Sequence, residues 1–402
     1  MFIYTINKKD PRLMTADNWG YVGKKMLLTE NAQVAIRHFI NTNYPDVGQY
    51  TSMEPCPIPR FDSNNPDHIK KLEEGAHVLF SRAGGAGDII MIAPIIQSMK
   101  KRYPKTEVTF AMDSKHSVIA QMLDAVDHVQ TYPIVEDVFK DFDMYCSFYG
   151  TIEMPSDKSR EMHGTDLFAE HIGWEFDESD SMLASLTTPA KSVRRIKKLY
   201  VREGIPEDAT VVVVQFRASN VNRAFDLSKM SQVIGKLAGR ENTHILVVGG
   251  APEECGFQWK TEDGSKPYPT IHKILGELTW RETAALVAKA DLCIGPDSAI
   301  VHLSGILGTP CVALYGPFPP EIRTKYYAKC VPIMSKAECA PCFSHGTWAC
   351  SHLLQRLNDM TDDEGNAPAW APAPCWDSIT VDEVLQAISN ILDNKQEDNK
   401  EE

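Results

Sequence analysis

A glycine-rich turn that ends in an aspartate is the first group of residues whose types and spacing could do chemistry. The turn, residues 84–88, follows the apolar run 77–81, which we interpret as a buried strand. Gly85 and Gly87 let the backbone approach a ligand closely, and the N–H groups of the helix that follows suit an anion or a sugar hydroxyl. Asp88 could act as a base, although an aspartate at a helix start is more often an N-cap. The glycine spacing does not match the dinucleotide fingerprint.

A second candidate site lies where the predicted strand 291–295 leads into a helix. Asp297 and Ser298 fit an N-cap there, and the N–H groups of the first turn, which includes Ala299, fit a diphosphate. A carboxylate at this place also suits sugar hydroxyls. His302 falls one turn inside the helix, where a histidine is more often structural than catalytic.

Two arginines, Arg217 and Arg223, occupy the loop after the β-branched run 210–216. Arginines at the carboxyl end of a strand are well placed to bind phosphate. The alternative is an exposed loop without a ligand.

Four of the ten cysteines cluster late in the chain, at Cys339, Cys342, Cys350 and Cys375. Four thiolates can form a closed tetrahedral site for zinc or iron. Four reduced thiols, or a redox-active CxxC pair with two bystanders, are the alternatives. The spacing fits no standard zinc ribbon.

Two series of alternating strand and helix patterns position these residues. The first begins at residue 77 and the second at residue 210. We therefore predict an α/β fold of two Rossmann-like domains that face a central cleft, where the carboxyl ends of their strands meet. The expected parts are an N-terminal extension of unknown role (1–75), a first domain (76–200), a second domain (201–392) and a charged, disordered tail (393–402). The basic stretch 191–198 predicts an amphipathic helix near the junction, with a solvated face favoured over an anion site.

The overall composition limits the function classes. The chain has 402 residues and a formal net charge of −13, which disfavours nucleic acid and anionic membrane over most of the surface. No stretch approaches the roughly 20 apolar residues that span a bilayer, and the first ten residues lack the apolar core of a signal peptide. We therefore expect a cytoplasmic protein.

Taken together, the motifs resemble glycosyltransferase family 9, the heptosyltransferase-like family with the GT-B fold. The resemblance covers roughly residues 76–392, and Ala299 departs from the usual glycine. A Cys-x-Pro-Cys segment at 339–342 follows the family series. The matching residues are Gly87, Asp88 and Pro94 in the first half, and Asp297, Ser298, Ala299, His302, Gly308, Pro310, Gly316 and Pro317 in the second.

The resemblance implies an inverting glycosyltransferase. Asp88 would take the proton of the acceptor hydroxyl, Asp297 would hold the donor sugar, and the amides near Ser298 and Ala299 would bind the diphosphate. The family's basic phosphate residue has no clear match, and Arg217 or Arg223 is our substitute. No catalytic metal is expected, because helix dipoles and cations stabilise the leaving group.

The resemblance also implies partners. The donor would be a nucleotide-diphosphate sugar, with an ADP-sugar such as ADP-heptose favoured, and the acceptor a glycan, a lipopolysaccharide or a protein hydroxyl. A homo-oligomer is a further expectation. Autotransporter heptosyltransferases, a branch of the family, are similar in having a late four-cysteine iron site, which implies structural iron or zinc here. The rival interpretations are a DNA-modifying glycosyltransferase and a non-catalytic nucleotide- or sugar-binding protein.

Overall fold

A computed structural model describes residues 2–6, 25–27, 51–152, 156–250, 268–344, 350–362 and 371–401. The chain forms two compact units. The first comprises Met1–Ser159 and Gly164–Ser185, and the second comprises Arg160–His163 and Leu186–Glu402. The junction therefore precedes the expected boundary at residue 201. The basic helix near the junction packs within the second unit, against the helix Trp280–Val287.

The first unit contains strands and helices in alternation after residue 60. Its described strands are β1 (Phe2–Ile6), β2 (Lys25–Leu27), β3 (Thr51–Pro55), β4 (His77–Ser81), β5 (Glu107–Met112), β6 (His128–Thr131), β7 (Ile134–Val135) and β8 (Met144–Ser147). Its described helices are α1 (Pro66–Glu74), α2 (Ala86–Arg102), α3 (Ser117–Ala120), α4 (Glu136–Phe139), α5 (Asp157–Glu161), which crosses into the second unit, and α6 (Gly164–His171).

A four-stranded parallel sheet in the order β6-β5-β4-β8 forms the centre of the first unit. Phe80 of β4 pairs with Phe110 on one side and Cys146 on the other, and all three are completely buried. After β4, the chain adds β5 and β6 on one side of that strand and then β8 on its other side, so the strand order reverses between β4 and β8. Because ligands bind where the strand order reverses, the turn that follows β4 is in the expected place for a site.

The N-terminal segment, predicted as an extension of unknown role, adds a second sheet to the first unit. This sheet is antiparallel, in the order β3-β1-β2-β7. The pairing of Leu27 with Ile134 joins the segment to the α/β part, and Ile134 lies in a buried cluster with Leu79 and Phe139. Strand pairing therefore ties residues of this segment to the domain that carries Asp88.

The second unit contains a six-stranded parallel sheet. Its strands are β9 (Thr210–Val214), β10 (Thr243–Val247), β11 (Ile271–Lys273), β12 (Leu292–Pro296), β13 (Cys311–Tyr315) and β14 (Cys330–Met334). Its described helices are α7 (Ala190–Glu203), α8 (Leu227–Ala238), α9 (Trp280–Val287), α10 (Ala299–Leu307), α11 (Glu321–Thr324), α12 (Ser351–Asp359) and α13 (Val381–Glu401).

The strand order β11-β10-β9-β12-β13-β14 is that of a Rossmann fold, 3-2-1-4-5-6 in the numbering of the unit's own strands. Its order reverses between β9 and β12. The loop after β9 carries Arg217 and Arg223, and the turn after β12 carries Asp297. The sheet therefore brings these two predicted segments to one edge.

A short 3₁₀ segment, Pro374–Ser378, packs into the hydrophobic core of the second unit. Trp376 is completely buried, and Lys229 Nζ donates hydrogen bonds to the carbonyl oxygens of Trp376, Asp377 and Ile379 at 3.0, 2.9 and 2.7 Å. The Trp376 carbonyl oxygen also accepts from the Ile379 N–H at 3.2 Å, and the lysine ammonium adds charge-assisted bonds at the end of the short helix.

The final helix, α13, continues to Glu401. Residues 393–401 are thus helical where we expected a disordered tail. Their glutamate, lysine and glutamine residues are good helix formers, and the helix is already anchored by its packing on α8. Across the described residues, no helix combines the length and the apolar character needed to cross a membrane.

Two helical glycines should respond oppositely to alanine. A Cβ at Gly305 would lie 2.2 Å from Cγ of Tyr327, whereas a Cβ at Gly235 would meet no atom within 4 Å. We expect Gly305→Ala to destabilise the protein by about 1–3 kcal/mol through overpacking, and Gly235→Ala to stabilise it by about 0.5–1 kcal/mol. Urea unfolding measures both, and equal effects would contradict the packing of α10 on Tyr327.

Candidate active site

Asp88 is held at the start of α2 by the backbone of Gly85 and by the side chain of Arg82. Gly85 is the N-cap of this helix, and its N–H donates to Asp88 Oδ2 at 3.0 Å. Asp88 is therefore the acidic member of a capping box, as well as the predicted base. A Cβ at Gly84 would lie 2.4 Å from the same oxygen, so a side chain at this position would push the Asp88 carboxylate away from its donors. Gly87 lies in the first turn of the helix and is partly exposed.

Arg82 holds the carboxylate from the other side, and the sequence analysis did not single it out. Its NH2 group donates to Asp88 Oδ2 at 3.0 Å and its NH1 group to the carbonyl oxygen of Phe148 at 2.9 Å. Its side chain is 1% exposed, and its guanidinium lies 5.4 Å from the centre of the Phe168 ring. A buried, charge-assisted pair of this kind fixes the carboxylate in one orientation. Its only sequence signal is a basic residue directly after a buried strand.

His116 is a second residue near Asp88 that the sequence analysis missed. It ends the 3₁₀ turn Ser114–His116, which follows β5, the strand next to β4. Burial, with a smaller contribution from Lys115, lowers the pKa of His116, against the opposing effect of Asp113 and Asp88. The carboxyl ends of β4 and β5 thus bring a carboxylate and an imidazole into electrostatic contact.

Asp297 forms the centre of the site in the second unit. Its carboxylate is 4% exposed and lies between two arginines. Arg223 NH1 donates to Asp297 Oδ2 at 3.1 Å and to the Asp297 carbonyl oxygen at 3.3 Å, and Arg323 Nε lies 3.7 Å from Oδ2. The structure therefore brings together Asp297 and Arg223, which the sequence analysis proposed separately, and adds Arg323, which it missed.

The charge of Asp297 is stabilised by this arrangement. Burial alone would raise the pKa of Asp297, but Arg223 and Arg323 outweigh it and hold the pKa below its ordinary value. The group is therefore an anion at neutral pH. Two arginines around one carboxylate leave a net positive charge at the carboxyl end of β12, within an acidic chain.

Three arginine nitrogens at this edge are buried without a hydrogen-bond partner among the described residues. They are the Nε atoms of Arg217, Arg223 and Arg323. Buried donors are nearly always paired in folded proteins. An anionic ligand would supply acceptors at a place where the described protein groups do not.

Helix α10 begins directly behind Asp297. Ser298 is the N-cap residue, but its side chain does not cap the helix and donates instead to Gln215 Oε1 at 3.0 Å. Because the Ser298 side chain does not cap the helix, the N–H groups of the first turn, including that of Ala299, remain at the positive end of the helix dipole, where they suit an anion. A Cβ at Gly295 would lie 3.2 Å from the Gln215 carbonyl oxygen, which shows how closely the two loops approach.

His302 points into the protein interior. It is 4% exposed, and its Nδ1 lies 2.9 Å from the hydroxyl of Tyr327. Its predicted part in substrate binding stays a prediction; in the structure it ties α10 to the segment after α11.

The four late cysteines lie close enough together to affect one another electrostatically. Burial first, and then Cys339, Cys342 and Cys350, raise the pKa of Cys375 to about 12. Burial, Cys350 and Cys339 likewise raise the pKa of Cys342. Among the described residues, however, no three His, Cys, Asp or Glu side chains form a group that could hold a metal ion.

The two Rossmann-like units define an α/β protein of the GT-B type. Residues 158–350 match the family model of glycosyltransferase family 9 (heptosyltransferase). The chain is also similar to lipopolysaccharide heptosyltransferase 3 of Escherichia coli, with 28% identity over 139 residues, or 34% of this chain. It spans 40% of the length of that relative.

Solved structures agree in fold. E. coli ADP-heptose lps heptosyltransferase II covers 80% of this chain and 99% of its own, with a TM-score of 0.58 and 11% identity. The iron-containing dodecameric glycosyltransferase TibC of enterotoxigenic E. coli H10407 covers 85% of this chain and 79% of its own, with a TM-score of 0.54 and 14% identity. The predicted fold is confirmed, and residues 158–350 carry the match to glycosyltransferase family 9 that the sequence motifs predicted.

The contacts of Asp297 lead to a test by mutation. We expect Arg223→Met to destabilise the protein by about 2–3 kcal/mol at neutral pH, because it leaves a buried carboxylate with one distant cation. In an Asp297→Asn background the same change should cost much less. Arg240→Met is the matched control, because Arg240 pairs with the exposed Asp393, and it should cost less than about 1 kcal/mol.

The pH dependence has a definite sign. Because the folded pKa of Asp297 is depressed, its stabilising contribution is present above the unfolded pKa and is lost as the pH falls through the folded pKa. The effect of Arg223→Met should therefore shrink on acidification to about pH 2–3. Urea titrations at both pH values measure it, and a pH-independent effect would mean that the pair with Asp297 does not carry the stability.

Proposed function

We propose that this protein is an inverting glycosyltransferase that moves a sugar from a nucleoside diphosphate to an acceptor hydroxyl. The observation that carries the proposal is the Arg223–Asp297–Arg323 group placed directly in front of the uncapped start of α10. Diphosphate leaving groups need this combination of fixed cations and helix amides, because the developing charge is stabilised without reorganisation.

The second unit would bind the donor. The diphosphate would accept from the amides of Ser298 and Ala299 and from the arginine nitrogens of the loop after β9, where Arg217 and Arg223 lie. Both arginines lie against Oδ2 of Asp297, so in this proposal the first role of Asp297 is to orient them. The carboxylate would contact a hydroxyl of the donor sugar through its other oxygen, Oδ1. TibC has been solved in complex with ADP-D-beta-D-heptose, and this supports an ADP-sugar as the donor to test first.

The first unit would bind the acceptor. Asp88 would take the proton from the acceptor hydroxyl as that oxygen bonds to the anomeric carbon, while the bond from that carbon to the diphosphate oxygen breaks. Displacement from the face opposite the leaving group inverts the anomeric centre. Arg82 would keep the carboxylate oriented through Oδ2. We propose a glycan, a lipopolysaccharide or a protein hydroxyl as the acceptor. We also propose a cytoplasmic location, which is supported by the absence of disulfides among the described cysteines.

Nucleotide binding and sugar transfer should separate in two measurements. Thermal unfolding with ADP, UDP, GDP or CMP in excess should show stabilisation by ADP, about 2.7 kcal/mol at 100 times the dissociation constant. Asp88→Asn should keep this shift but lower transfer from an ADP-sugar by about 10²-fold or more, because the acceptor loses its base.

Asp137→Asn is the matched control, because Asp137 is an exposed aspartate of the same unit, and it should keep full transfer. A shift with UDP or GDP alone would change the donor and leave the fold assignment. Stabilisation by no nucleotide would overturn the donor site. An Asp88→Asn protein that transfers normally would remove Asp88 from the mechanism.

We further propose that Cys339, Cys342, Cys350 and Cys375 hold a structural iron or zinc ion. Four thiolates are a donor set that suits either metal, although the described side chains are not yet gathered as a ligand group. Burial and the neighbouring cysteines raise the pKa values of Cys342 and Cys375. A bound cation would stabilise the thiolates and so lower these pKa values. Bound there, the ion would link Cys339, Cys342 and Cys350 to the segment around Trp376 and take no part in transfer.

Metal analysis of the purified full chain tests this. We expect about one iron or zinc ion per chain, lost in Cys342→Ser together with a fall in melting temperature. Cys56→Ser should retain the metal, because Cys56 lies in the other unit. A metal-free wild-type protein, purified without chelators and refractory to added zinc or iron, would contradict the site.

A further inference from the structure

Helix α7 carries a concentration of cations that neither candidate site uses. Its inner side buries Ser192, Ile196 and Leu199, and it packs against α9. At 100° per residue, its cations fall on the opposite, outer side. We call four exposed residues of that side the basic face: Lys191, Arg194, Lys197 and Lys198.

The basic face is not neutralised by the rest of the described chain. At its border, Arg195 lies 3.8 Å from Glu282, and Arg202 pairs with Glu203 and Glu277 at 2.7 Å each. The four cations of the basic face make no ion pair with any described residue. Such a cluster is unexpected in a chain whose net charge is −13, because acidic neighbours are in excess elsewhere.

An apolar side chain lies on the same side of the helix, just beyond the last of these cations. Val201 falls between Arg194 and Lys197 around the helix and is 82% exposed. Lysine and arginine stems on either side add further aliphatic surface below their charged ends. The outer side of α7 thus combines positive charge with an exposed valine at its C-terminal end.

We propose that the basic face of α7 docks the protein onto an anionic lipid surface. The four cations extend over about 10 Å of the helix axis and about a third of its circumference, so they are too widely spread for one small anion. The centre of a protein–protein interface is normally depleted of charge and rich in aromatic residues, and this face has the opposite composition. Anionic headgroups attract each such cation separately.

The charge of the remaining surface gives this contact a direction. An acidic protein is repelled from an anionic membrane at most orientations, so the basic face is the side that approaches. The binding is electrostatic and peripheral, and salt weakens it because the charges are exposed. This proposal does not depend on the proposed transfer reaction.

Vesicle sedimentation with the full chain tests the proposal. The wild type should bind vesicles of phosphatidylcholine with phosphatidylglycerol and not vesicles of phosphatidylcholine alone, and it should be released between about 0.1 and 1 M salt. The quadruple variant Lys191→Gln, Arg194→Gln, Lys197→Gln, Lys198→Gln should lose about tenfold or more in partition onto the anionic vesicles.

The chain offers a control with the same change of net charge. Lys70, Lys140, Lys158 and Lys236 are exposed lysines on other elements, each beside an acidic residue, and their quadruple glutamine variant should bind like the wild type. Circular dichroism melting checks that both variants are folded.

Three results would overturn the proposal. The first is a wild-type protein that does not bind anionic vesicles, and the second is an equal loss of binding in the two quadruple variants. The third is no vesicle binding by the wild type, combined with a change in oligomeric state that light scattering detects only in the basic-face variant. The last would assign this face to a second copy of the chain. Nucleotide stabilisation and sugar transfer in solution are measured separately, so their failure would not affect this outcome.

Discussion

The donor half of the molecule depends on one buried charge, the carboxylate of Asp297. A carboxylate that is 4% exposed is stable only with opposite charges beside it. Arg223 supplies one from the loop after β9, and Arg323 supplies the other from helix α11. The requirement works in both directions, since each arginine is also held in place by the aspartate. The loop after β9, the turn after β12 and helix α11 are thereby fixed relative to one another at the edge where the strand order reverses.

The first unit solves a similar problem with fewer groups. Arg82 is buried behind β4 and satisfies Asp88 on the side that faces the sheet. Here the carboxylate remains partly exposed, at 17%, and can contact solvent or a ligand. The same pairing of arginine with aspartate therefore serves two purposes: it encloses Asp297 and it presents Asp88.

Local pattern predicted most of the framework. The strand 77–81 and the helix that starts near 227 follow from short apolar runs and a 3.6-residue period, and both are present. Asp88, Asp297 and Arg223 could be selected because each follows a strand in a loop of suitable composition. The contact between Arg223 and Asp297 needed the strand order, which sequence alone did not supply.

The residues that were missed share a physical reason. Arg82, His116 and Arg323 belong to no motif, and their importance comes from what tertiary folding places beside them. The N-terminal strands were also unreadable, because β2 is three residues long and its partner β7 lies far along the chain. Short strands with distant partners leave little local signal.

The loop that carries Arg223 is supported from the far end of the chain. Asn222 Nδ2 donates to the Ser344 carbonyl oxygen at 2.7 Å, and Trp376 Nε1 donates to the Asn222 carbonyl oxygen at 3.1 Å. Synthesis on the ribosome proceeds from the amino terminus, so β9 and its loop emerge long before Trp376 does. The nascent chain can form the sheet early, but it completes the surroundings of Arg223 only after residue 376 has been made.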